Sequence, residues 1–164
     1  MKIIDLTHSI APGMPVYPGT EPPVFLESHS IREQGFRERM ITMVSHTGTH
    51  MDAPAHILPQ ARTLDQMSID HFGGRGSVLD FHVGERSAIY LEELKHHAAL
   101  IEESDFILIR TDWSRFWGEE AYFTGYPVLT LEAARWLCGF NLKGLGIDMI
   151  SFDGAGEVFP VHQI

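Results

Sequence analysis

FILI, residues 106–109, is the run on which the fold turns. Four consecutive apolar residues without polar alternation fit a strand covered on both faces, the condition of a parallel sheet flanked by helices. Upstream, Leu91, Leu94, Ala98 and Ile101 recur at helical spacing, which predicts a helix with His96 and His97 turned to water. Before it, SVLDFHV (77–83) is a second compact apolar run. Downstream, Thr130 is placed to cap another helix, with Glu132 in its first turn and Ala133, Trp136, Leu137 and Phe140 on one stripe. GLGI (144–147) then reads as a further short strand. The order strand, helix, strand, helix, strand argues for α/β layers with some parallel pairing.

The first half reads differently. Residues 3–6 and 24–28 are short and partly β-branched, and APGMPVYPGTEPP (11–23) lies between them. Proline removes backbone donors and fixes φ, so an ordered loop is expected there. RMITMVSH (39–46) resumes β character and leads into HTGTHMDAPAH (46–56), where Gly48 and Pro54 disfavour a regular helix and favour an extended or bent path.

With 164 residues and 44% hydrophobic content, one sizeable core suffices, and a single domain over 1–164 is expected. A formal net charge of -10 opposes binding to phosphate backbones and anionic lipid, so neither nucleic acid nor a membrane is expected as a partner. The opening MKIIDLTHSI is too polar for a secretory core, and no window approaches a membrane span. The lone Cys138 cannot close an internal disulfide, which fits a cytoplasmic location; within a predicted helix it is expected to be buried.

The densest chemistry lies in residues 46–56. His46, His50, Asp52 and His56 all fall at even positions, and alternate side chains of an extended segment share a face. Two imidazoles and a carboxylate, His46, His50 and Asp52, form the three-ligand set that a catalytic zinc, manganese or iron ion takes while keeping a position open. Such an ion lowers the pKa of bound water from 15.7 to about 7, and His56 is placed to shuttle a proton to a leaving group. Isolated histidines more often cap loops or satisfy buried backbone groups, but three with an aspartate in one short run reverse that balance. The His46/His50 spacing is similar to HExxH, yet no Glu follows His46 and helix breakers intervene.

Other residues carry weaker signals. FGGRGS (72–77) precedes a strand instead of following one, so its glycines are expected to turn the chain rather than cradle phosphate. Trp113, Phe116 and Trp117 suit either a pocket or ordinary packing, and Asp148 and Asp153 suit either strand-end chemistry or capping. His162, in VFPVHQI, sits where an unpaired imidazole would cost free energy.

HTGTHMDAPAH resembles the signature of the metal-dependent cyclase family, which includes kynurenine formamidases and isatin hydrolases. DLTHSIAPGMPVYPG (5–19), ILIRTDWSRFWG (107–118), GIDMISFDG and FPVH resemble further segments of that family, so the likeness covers nearly the whole chain. It implies an α/β fold of the swivelling β/β/α type with a mixed sheet. It also implies that His46, His50 and Asp52 hold one metal, that Asp52 and His162 reach a second, and that His56 is the general acid/base. Tyr17 falls where the family's N-terminal loop lines the substrate pocket. One or two divalent ions per chain, zinc first and manganese second, a small-molecule substrate and a homo-oligomer follow from the same likeness.

Formamidases of the family have Trp where Tyr17 stands and HTGAH where this chain reads HTGTH, so a hydrolase of an amide, formamide or lactam C–N bond is expected rather than one fixed on N-formylkynurenine. Family members also continue past FPVH into a segment carrying a metal-binding Glu, which has no counterpart before Ile164. The expectation is therefore a chain that lacks the family's C-terminal segment and binds a second metal weakly or not at all, unless the turn bends back toward His162 and lets Glu157 or Asp153 substitute. Two other readings are a non-haem iron oxygenase using the His46/His50/Asp52 triad, which the helices of the second half oppose, and a metal-binding module without turnover.

Overall fold

The structure, a computed structural model, describes residues 2–81, 87–156 and 158–164. His82 and Val83 of the expected first strand, and Glu157, fall outside the described residues. Two compact units emerge, Met1–Asp52 and Ala53–Ile164.

In the first unit, β1 (Val24–His29) and β2 (Glu38–Thr42) form an antiparallel ribbon in which Val24 faces Thr42 and Leu26 faces Met40. The register shifts between Glu27 and His29, one residue before the connecting turn of helix, α1 (Ile31–Gln34). Ser30 caps that turn by accepting from the Glu33 N–H, and Gly35 at φ +83° ends it. Residues 3–6 form no strand and are exposed, and β2 stops at Thr42, four residues short of His46. Val24, Leu26, Met40 and Ile41 are all exposed, so the ribbon has little core of its own.

The second unit carries the α/β layers. Its central sheet is parallel, in the order β3 (Gly76–Asp80), β5 (Phe106–Arg110), β7 (Gly144–Ile147). β5 contains the FILI run, and its middle position explains the unbroken apolarity: Ile107 and Ile109 are fully buried while their neighbours pack partly covered on the other face. A smaller parallel pair joins β4 (Ala88–Ile89) to β6 (Val128–Leu129). Parallel and antiparallel pairing thus both occur, in separate sheets.

The helix expected over 91–101 is two short ones, α2 (Leu91–Lys95) and α3 (Ala98–Glu102), with His96 and His97 at the joint. Leu91, Leu94 and Ile101 are buried at the expected positions. His96 faces water, but His97 is half-buried with its ring edge-on to Phe81 at 5.8 Å. α4 (Leu131–Leu137) starts at Thr130, whose hydroxyl accepts from the Ala133 N–H, and it buries Ala133, Ala134 and Leu137. Cys138, expected inside, is exposed because it falls just beyond the buried stripe of α4.

Of the FGGRGS glycines, Gly74 lies at a bend and Gly76 opens β3. A Cβ on Gly74 would lie 2.5 Å from the Asp105 carboxylate, which accepts the Arg75 N–H at 2.8 Å and pairs with Lys143 at 3.2 Å. These contacts, the Arg75 N–H first and then Lys143, hold the Asp105 carboxyl below its ordinary range. No helix among the described residues is long and apolar enough to cross a membrane.

Candidate metal centre

His46, His50 and Asp52 meet, though not by the alternation of an extended strand. Residues 43–53 have no regular structure, and Gly48 bends the segment at φ +65°, a conformation L side chains rarely adopt. A Cβ there would also approach Met14 Cε at 3.2 Å. The bend is pinned on both sides. Thr47 is buried and its hydroxyl donates to the Val44 carbonyl at 2.8 Å, while Thr49 Oγ1 accepts from the His8 N–H at 3.1 Å.

Three candidate ligand atoms form a small triangle. His46 Nδ1 lies 2.6 Å from Asp52 Oδ1 and 3.1 Å from His50 Nε2, and His50 Nε2 lies 3.2 Å from Asp52 Oδ1. Adjacent ligands on one ion, each at about 2.0–2.2 Å, stand about 3 Å apart, so the triangle is of the right size. Two nitrogens and a carboxylate oxygen suit zinc, manganese or iron.

The tautomer also fits. His50 Nδ1 is 2.7 Å from the Gly48 carbonyl, an acceptor only, so the proton sits on Nδ1 and Nε2 presents its lone pair to the triangle. Without an ion, the Asp52 carboxylate and that lone pair face each other with no proton between them unless His50 is charged. Accordingly the His50 pKa is raised above 6.5, first by its hydrogen bond to Asp52, then by that to Gly48 and by the Asp52 charge, against a desolvation cost. The side chains are one-third exposed, at 34%, 32% and 38% for His46, His50 and Asp52, so the cluster is open to a ligand rather than sealed in a core.

Tyr17 lies in the first unit, at the start of a turn closed by the Thr20 N–H and the Tyr17 carbonyl at 2.9 Å, and is 37% exposed. His56 ends the 3-10 turn Pro54–His56 in the second unit. His162, also in the second unit, is paired: its Nδ1 lies 2.5 Å from Asp153 Oδ2. Both Asp153 oxygens are engaged there, Oδ1 by the Val161 N–H and Oδ2 by the His162 N–H and Nδ1. Two contacts are not legible in the sequence, that of the Gly48 carbonyl with His50 and that of Asp153 with His162. The first is made by a backbone atom with no sequence signal; the second could be sought only through an acidic residue near the lone histidine.

At the carboxyl ends of the parallel strands, Asp148 caps β5 by accepting the Thr111 N–H and hydroxyl at 2.9 and 2.6 Å. Trp113 donates its indole N–H to the Tyr122 carbonyl and packs on Phe116, and Trp117 meets Tyr122 edge-on. Burial, with the Asp148 charge second, pushes the Tyr122 phenol up to about 12 and keeps it protonated.

Residues 4–154 match the model of the Cyclase family. The chain is 29% identical over 153 residues to a kynurenine formamidase of Erythrobacter litoralis, covering 93% of this chain and 68% of that protein. It spans 63 to 68% of the length of the first two curated relatives it matches. Among solved structures it is similar to a potential metal-dependent hydrolase with cyclase activity, at TM-score 0.79 and 30% identity, covering 99% of this chain and 75% of that one. Isatin hydrolase A from Labrenzia aggregata gives TM-score 0.83 at 27% identity, with 99% and 75% covered. With the family's model running through all but the ends, and a mixed α/β fold shared with these solved relatives, the chain belongs to the Cyclase family, alongside hydrolytic enzymes.

Proposed function

We propose that the chain is a metal-dependent hydrolase of a carbon–nitrogen bond in a small amide, formamide or lactam, with His46, His50 and Asp52 holding a divalent ion, zinc first and manganese second. The observation that carries this is the ligand triangle with its His50 tautomer already set by the Gly48 carbonyl. A bound ion of this kind supplies Lewis acidity, polarising a carbonyl oxygen and bringing water toward a pKa of about 7.

The chain's residues do the rest. Asp52 brings a negative charge that offsets half of a divalent cation's, while two neutral imidazoles leave the site electrophilic. His56 holds the proton that the departing nitrogen needs, and Tyr17 lines the substrate pocket. His162, through Nε2, is the ligand toward a second ion. The relatives named as a kynurenine formamidase and an isatin hydrolase support a substrate that joins a carbonyl to nitrogen. A second copy of the chain covers the exposed apolar residues of the β1–β2 ribbon, and the protein works in the cytoplasm.

Elemental analysis of the purified protein, paired with hydrolysis assays on N-formylkynurenine, isatin and simple lactams, tests the reading. Metal with turnover supports it, and metal without turnover on the whole panel removes it. His56→Ala should retain the ion and lower kcat by about 10²–10⁴-fold, the ordinary share of general acid–base catalysis. Undiminished kcat in that variant would take the proton-transfer role from His56.

A further inference from the structure

We propose that Asp153 is the positioning residue for His162: it holds the imidazole as the Nδ1–H tautomer and so presents Nε2 as the ring nitrogen for a divalent ion. The inference rests on the reading of His162 as a metal ligand given above.

A carboxylate can only accept, so the proton in the 2.5 Å contact between His162 Nδ1 and Asp153 Oδ2 sits on the nitrogen. The carboxylate is itself fixed. Its side chain is 3% exposed, Oδ1 accepts the Val161 N–H at 2.9 Å, and Oδ2 accepts the His162 N–H at 3.2 Å. Its backbone is tied from the other side, where the Tyr126 hydroxyl donates to the Asp153 carbonyl at 2.9 Å and the Asp153 N–H donates to Ser151 Oγ at 3.1 Å. Carboxylate and imidazole therefore belong to one braced turn.

The ring is also guided by its neighbours. Phe152 and Phe159 each stand 6.0 Å from it in edge-on contact, which limits rotation about its side-chain bonds. A carboxylate on the far nitrogen raises the basicity of the near one and fixes the direction of its lone pair, the arrangement that metal-binding histidines use. Both Asp153 oxygens are already occupied, so its contribution passes through His162 rather than directly to an ion.

The test uses the full chain. The ring nitrogens of ¹⁵N-labelled, metal-free protein are recorded by NMR at mildly alkaline pH, and zinc alone is titrated by calorimetry into wild type, Asp153→Asn and His162→Ala. The expected wild-type spectrum shows His162 as the Nδ1–H tautomer. A carboxamide cannot accept on both sides, so Asp153→Asn should give a mixed or Nε2–H tautomer. It should also weaken by about 10–100-fold the zinc equivalent that His162→Ala removes, leaving zinc at His46, His50 and Asp52 unchanged.

An Nε2–H tautomer in the wild type overturns the proposal without any variant having to fold, and so does an Asp153→Asn protein that keeps both the tautomer and the zinc affinity. If wild type binds no zinc, or His162→Ala keeps every equivalent, the metal half of the proposal falls with the functional reading of His162. The tautomer result separates that failure from a failure of the pairing itself.

Discussion

Among the described residues, histidine meets aspartate at His46, His50 and Asp52 and again at Asp153 and His162, and these two places are built in opposite ways. At His46, His50 and Asp52 one carboxylate oxygen faces two imidazoles on an irregular segment, with each side chain one-third exposed. At Asp153 and His162 the carboxylate is 3% exposed and its two oxygens take three N–H donors, two of them from the backbone. The first is a half-open cluster in which two ring nitrogens and one carboxylate oxygen converge; the second is a buried carboxylate ringed by donors. An aspartate near a histidine is thus no single signal. Its burial and the count of donors around it decide whether it offers itself as a ligand or spends itself on orientation.

Substitution should separate the two places most sharply. Asp52→Ala should remove zinc binding at the triangle and hydrolysis together, measured by calorimetry and turnover, while changing the stability of the metal-free protein by about 1 kcal/mol or less, as exposed pairs do. Asp153→Ala should do the reverse in stability. Stripping the acceptor from the Val161 and His162 N–H groups should cost roughly 1–3 kcal/mol in a denaturant titration of metal-free protein. Equal stability losses in the two variants would erase the difference between the two pairs.

Gly48→Ala should cost about 1–2 kcal/mol, since an L side chain must take the left-handed conformation, and should weaken zinc binding because His46 and His50 flank the bend. Unchanged stability and affinity would mean the backbone does not need the glycine.

The smallest effect is one of pH. The His50 pKa is raised in the metal-free fold, so its pairing with Asp52 contributes stability that is fully present below the unfolded value of about 6.5 and is lost as pH rises through the folded value. Zinc needs the deprotonated ring, so its affinity should move the other way and fall as pH drops through that raised value. Melting temperature against pH, with and without zinc, reads both slopes, and Asp52→Asn should flatten the metal-free one. A zinc affinity that does not change across this range would remove His50 from the ligand set.

Much of this was legible because burial leaves a pattern in the residues. FILI declared a central parallel strand, since a strand covered on both faces has no room for polar alternation. Thr130 declared the start of α4 through its capping hydroxyl. The break between α2 and α3 did not show, because Leu94 and Ile101 keep helical spacing across the interruption at His96 and His97. His46, His50 and Asp52 meet as their spacing suggests, but by a different geometry. Even-numbered spacing pointed to a strand, while the agent is one glycine bend whose effect depends on φ. In the sequence Asp153 suits a strand-end capper or a spare ligand, since its tie to His162 depends on how the turn folds back.

A mutation can delete a side chain, but it cannot delete a peptide carbonyl. Because the group that sets the His50 proton is the Gly48 C=O, two residues away on the same strip of chain, the imidazole's aim is heritable with the loop itself. Substitutions around the loop that keep its bend therefore leave the direction of the His50 ring untouched.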